Sequence, residues 1–146
     1  MTAVLLAVHV LGAIVFIGPV TVAASLFPRY ARNGEVGVAR MLHRISRVYA
    51  VLGLVVPVFG IATAAQLGVL GDAWLLVSIA LTLVAALLLA LEVLPGQAKA
   101  MAALTGDTTP VVPPRLGMTT GVFALIWAVV VVLMIVRPGS TTGVGV

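Results

Sequence analysis

The run A-V-H-V-L-G-A-I-V-F-I-G-P-V, residues 7–20, decides how the chain folds. It belongs to a longer apolar stretch, about Thr2 to Phe27, in which His9 is the single ionisable side chain. About 20 apolar residues suffice for a helix to cross roughly 30 Å of hydrocarbon. A sheet at that depth would leave its edge amides unpaired, so a helix is the expected form. The alternation of polar and apolar residues that marks a membrane barrel is absent. No Lys or Arg precedes the run, and it is longer than the apolar core of a signal peptide. It therefore reads as a retained span, with A-A-S at residues 23–25 the one candidate cleavage point.

The rest of the chain has the same character. Its 146 residues are 62% hydrophobic and 8% charged, with a mean hydropathy of +1.29. A soluble domain carries about 25% charged residues, so one integral membrane domain is expected. Three further spans follow, at about Arg47–Leu70, Trp74–Leu94 and Met118–Val136. The expected fold is all-α, an antiparallel four-helix bundle with a flexible Gly/Ser/Thr-rich tail over residues 138–146. Cysteine is absent, which excludes disulfides, thiolate metal sites and cysteine nucleophiles.

The net charge of +4 and pI near 10.8 do not indicate nucleic acid, because topology accounts for the basic residues. Arg29, Arg32, Arg40, Arg44 and Arg47 sit in or beside the first connection, and Lys99 and Arg115 in the third. Only Arg137 is left for the other side. The positive-inside rule then places both connections in the cytoplasm and both termini outside a bacterial plasma membrane. Arg40, Arg44 and Arg47 recur at i, i+4 and i+7, a stripe suited to anchoring the second span at lipid headgroups or to holding a phosphorylated substrate.

Small residues are expected to carry the packing, since lipid tails are as apolar as leucine. Gly117, Gly121, Ala124 and Ala128 form a stripe on the fourth span; Gly53, Gly60 and Ala64 lie beside Pro57 on the second; Gly12, Ala13 and Ala24 accompany His9 on the first. Bends are expected at Gly18-Pro19 and Pro57. The P-G-Q and V-V-P-P segments read as loop punctuation. Trp127, mid-span, is core, lipid-facing bulk or the wall of a ligand pocket.

Ionisable groups inside spans are functional candidates. His9 lies about 10 Å below the outer surface at the helical rise. Its readings are an axial haem or metal ligand, a proton carrier, or a hydrogen-bond partner of Gln66 or Ser78. The last is the favoured one. A haem shared with His43 is not expected, because the two depths differ by about 15 Å. Glu92 is expected to form an ion pair with His43, Arg44 or Arg47. As half of a proton or cation path it would need more polar residues than Ser78 and Thr82 supply. No Ser-His-acid set, phosphate-binding loop or His-x-x-x-His pair is present, so catalysis is not expected.

H-V-L-G-A-I-V-F-I-G, residues 9–18, resembles the first-span pattern His-x-x-Gly-Ala-x-x-x-x-Gly. That pattern belongs to a bacterial, actinobacterial-type family of predicted four-span membrane proteins of unknown function. It is distantly similar to the CopD copper-resistance and HemJ-type protoporphyrinogen oxidase families. R-V-Y-A-V-L-G-L-V-V-P-V-F-G-I-A-T-A, residues 47–64, resembles the second span of the same unknown-function family. The resemblance implies the four-span plan and, from the HemJ-type relatives, haem binding through His9 alone. Phe16 stands where a tryptophan is usual and Pro19 where a second glycine is usual. The methionine-rich copper sites of CopD have no counterpart. The expected function is a non-catalytic accessory or scaffolding subunit, or a homo-oligomer, of the plasma membrane. A haem- or metal-binding protein using His9 is the alternative, and a small transporter the third.

Overall fold

The computed structural model describes residues 1–106 and 111–139. It contains four long helices and, among the described residues, no strand. They are α1 (Thr2–Arg32), α2 (Val36–Leu67), α3 (Ala73–Thr105) and α4 (Leu116–Val136), each long and apolar enough to cross a membrane. The tail expected to be flexible lies outside the described residues beyond Gly139.

Local chemistry sets where the helices stop. At the end of α1 the Gly34 N–H donates to the Ala31 carbonyl and the Glu35 N–H to that of Tyr30. At the end of α2, Gly68 and Val69 repeat the pattern with Ala65 and Ala64. Both are Schellman caps, in which the residue after the helix must be left-handed. Gly34 (φ 73°) and Gly68 (φ 70°) supply that conformation without a Cβ clash. The first connection is therefore only three residues, Asn33–Glu35, rather than an arginine-rich loop. All five of its arginines are helical.

Prolines act differently from expectation. Pro95, Gly96 and Gln97, expected in a loop, are helical. Five residues ahead of Leu94-Pro95, at Leu89–Val93, the helix widens into a π turn, and α1 does the same at Ala13–Ile17 ahead of Gly18-Pro19. A proline lacks the amide donor and crowds the carbonyl one turn back. A π turn re-pairs such carbonyls with the next donor along, so the helix continues. In α2 the interruption falls at Leu54, three residues before Pro57.

The helices pair as two antiparallel hairpins, α1 with α2 and α3 with α4, whose packing differs between the two ends. In the half near the Asn33–Glu35 turn, all four helices meet. Val20, Ala23, Ala24, Phe27 and Ala31 of α1 pack there on Ala39 and Leu42, on Leu89, Val93 and Ala100, and on Leu116 and Phe123. The alanines let the backbones approach closely. In the half that bears the termini, Thr2–Gly12 packs on α2 and scarcely on α3 or α4. Only a small cluster, Ala64, Trp74 and Leu75, closes that end. The hairpins thus join at the arginine end and part towards the termini.

Glycines show which faces are in use. A Cβ on Gly53 would lie 2.9 Å from Ile17 Cδ1, one on Gly60 2.7 Å from the His9 ring, and one on Gly96 2.9 Å from Leu116 Cδ1. The small-residue face of α2 does pack on α1. On α4 the contact stripe is instead Leu116, Thr120, Phe123 and Val130. Gly117, Gly121 and Ala128 are exposed, and a Cβ on either glycine meets nothing within 4 Å.

The same substitution at two glycines tests this assignment. Gly96→Val should lower stability by about 1–3 kcal/mol through overpacking. Gly121→Val should change it by less than about 0.5 kcal/mol. Thermal unfolding in detergent, followed by far-ultraviolet circular dichroism, measures both. An equal loss at Gly121 would mean that the outward face of α4 is covered by another chain.

Candidate functional site

His9 sits on α1 at the level where the hairpins part. Its Nδ1 lies 2.8 Å from the Val56 carbonyl oxygen of α2. A carbonyl only accepts, so Nδ1 carries a proton, and the tautomer that this contact selects leaves Nε2 with its lone pair. This contact needs Gly60. Any side chain there would collide with the imidazole, at 2.7 Å from Cε1 and 3.0 Å from Nδ1. The expected partners are engaged elsewhere: Gln66 Oε1 accepts from the Thr2 hydroxyl at 3.2 Å, and the Ser78 hydroxyl donates to the Trp74 carbonyl at 2.8 Å.

His9 also stands between two cavities. One, of about 680 Å³, opens between α1 and α4 and reaches Thr21, Thr63, Trp74, Trp127 and Arg137. The other, of about 290 Å³, opens between α2 and α3 and is lined by Pro57, Ile79, Thr82 and Ala86. His9, Gly60, Leu75, Trp127 and Met134 line both, so they form the partition of one cleft. Trp127 is half-buried and is a pocket wall, the last of its three expected roles. Volumes of this size match small-molecule sites, which are apolar with few polar contacts.

The polar groups of the cleft are mostly committed. The hydroxyls of Thr21, Thr63 and Thr82 donate to the carbonyls of Ile17, Phe59 and Ser78, one turn back on their own helices. At the mouth, Trp74 Nε1 donates to Asp72 Oδ2 at 2.9 Å. The Arg137 guanidinium lies 5.4 Å from the centre of the Trp74 ring, a cation–π contact. Arg137 itself ends α4 in the left-handed region, φ 45°, with its Nε donating to the Met134 carbonyl at 3.1 Å.

The arginine end holds a second polar group that the sequence did not reveal. His43 Nδ1 donates to Gln97 Oε1 at 2.9 Å, Gln97 Nε2 donates to Ser46 Oγ at 3.2 Å, and Ser46 donates to the Leu42 carbonyl at 2.9 Å. Gln97 and Ser46 are fully buried. The Phe27 ring lies 6.2 Å from that of His43. This chain ties α2 to α3, and each polar side-chain atom buried in it has a hydrogen-bond partner. It takes the place expected for an ion pair between His43 and Glu92. Glu92 is exposed and borders a small cleft with Lys99 and Arg115. Glu92 and Gln97 are five residues apart, or about 140° around a helix, so both cannot face His43. Arg40, Arg44 and Arg47 form the expected exposed stripe, away from the buried Ala39, Leu42 and Ser46. No cluster of metal-ligating side chains occurs among the described residues.

Compared with known proteins, the chain matches no family model, no curated protein and no solved structure.

Two substitutions separate the buried network from the exposed acid. Gln97→Leu should cost about 1–3 kcal/mol, because it leaves buried polar partners unpaired. Glu92→Gln should cost less than about 0.5 kcal/mol. Denaturation in detergent measures both, and the reverse ranking would restore Glu92 as the structural partner.

Proposed function

We propose that this chain is a non-catalytic accessory protein of a bacterial plasma membrane, spanning it four times with both termini outside. Its role is to hold an apolar ligand in the cleft between the hairpins, with His9 as the polar contact. The observation that carries this reading is the 680 Å³ cleft ending on an imidazole whose Nδ1 is fixed by the backbone. Exposure of Gly117, Gly121 and Ala128 supports assembly with a neighbouring helix as a further part of the role.

Haem, the cofactor implied by the resemblance, is the second reading. An imidazole that donates Nδ1–H to a backbone carbonyl has the outer contact usual for a metal-binding histidine. His9 Nε2 would ligate the iron, and the Met134 thioether lines the same space. When bound there, haem supplies electron-transfer or oxygen chemistry. Among the described residues the cleft lining carries one cation, Arg137, already engaged with Met134 and Trp74, so the lining fits haem at the iron and is short of charge for its two carboxylates.

Two measurements test these readings. Protein expressed with ample haem and purified in mild detergent should release an apolar small molecule on extraction, and His9→Ala should release less. A Soret band abolished by His9→Ala would select haem instead, and an empty, colourless protein would end both readings. For orientation, the chain has no native cysteine, so single cysteines report cleanly. With a membrane-impermeant maleimide, Gly71→Cys should label in intact cells and Asn33→Cys only after lysis. The opposite pattern would overturn the proposed topology.

A further inference from the structure

Resting on the reading of the cleft as a ligand site, two atoms narrow what it takes. His9 Nε2 and Trp127 Nε1 have no hydrogen-bond partner among the described residues, and neither atom is fully buried. Both side chains belong to the partition shared by the two cavities. With Nδ1–H committed to Val56, Nε2 only accepts; an indole N–H only donates. Together they complement a group that donates one hydrogen bond and accepts another. A hydroxyl does both through a single oxygen. A ketone or ether oxygen satisfies the indole and leaves Nε2 bare.

The surroundings define the remainder of the molecule. Trp127 and the Met134 thioether favour an aromatic ring, by stacking and sulfur–aromatic contact. Val10, Ile14 and Ile135, at 46%, 65% and 59% exposure, border the larger cavity, so it opens sideways between α1 and α4. In a bilayer that opening leaves an alkyl or isoprenoid tail among lipid chains. We propose that the cleft selects a membrane-soluble phenol or hydroquinone bearing an apolar tail, its hydroxyl donating to His9 Nε2 and accepting from Trp127 Nε1.

The test compares para-nonylphenol with its methyl ether, para-nonylanisole, which has the same ring and tail but no donor. Binding to the full chain in nanodiscs is followed by tryptophan fluorescence and corrected for partition into empty nanodiscs. The phenol should bind about tenfold tighter than the ether, the discrimination of one hydrogen bond. In His9→Leu the ratio should fall to about one with ether binding unchanged. Gly60→Ala keeps the histidine but forces the ring off the Val56 carbonyl, and should collapse the ratio likewise. Equal affinities in the wild type, or a ratio that survives both substitutions, would overturn the inference while leaving the cleft as a ligand site. If neither probe binds, both fall.

Discussion

The bond from His9 Nδ1 to the Val56 carbonyl joins the first two helices and sets the chemistry of the cleft. An imidazole amid apolar side chains has to satisfy two ring nitrogens, and each tautomer gives it one donor and one acceptor. Here the donor is spent on the backbone of the neighbouring helix, at a point where Gly60 removes the side chain that would block it. The acceptor is left to the cleft. Structure and chemistry are joined in that one contact, since it ties α1 to α2 and decides what the open nitrogen can bind.

The cleft exists because the two halves of the bundle are built from different residues. Towards the arginine end, alanines on α1 and α2 allow all four backbones to approach, and Gln97 is drawn into a hydrogen-bonded network with His43 and Ser46. Towards the termini, the polar contacts stay within each hairpin: Thr2 with Gln66, His9 with Val56, Trp74 with Asp72. None of these three contacts bridges the hairpins as Gln97 does. Helices joined firmly at one end and loosely at the other leave space that large side chains such as Trp127 border without filling.

Hydropathy made the number and order of the helices readable, because four long apolar runs interrupted by charge and glycine leave little else to fold. That His9 would hydrogen-bond a neighbouring helix was readable too, because it is the one ionisable group in its run. The partners were not. Gln66 and Ser78 lie at suitable depth for His9, but side chains that share a depth meet only if the helices also share a facing angle, which one sequence does not encode. Pro95-Gly96 reads as a helix end, and the π turn at Leu89–Val93 that carries the helix past it has no compositional mark. That misreading hid Gln97, which then had no place in the expected core. The stripe of Gly117 and Gly121 was visible as a packing motif, but nothing in it states whether the surface it meets belongs to this chain.

The protonation of His9 is the most direct measurement of the whole account. With 15N-labelled histidine in the purified full chain, nuclear magnetic resonance distinguishes the two ring nitrogens, and comparison with His43→Gln assigns the signals. At His9, Nδ1 should carry the proton shared with the Val56 carbonyl, and Nε2 should be an unprotonated acceptor whose shift moves when a phenol enters the cleft. A ring protonated at Nε2 with a bare Nδ1 would contradict it, because the backbone bond and the acceptor offered to the ligand would disappear together.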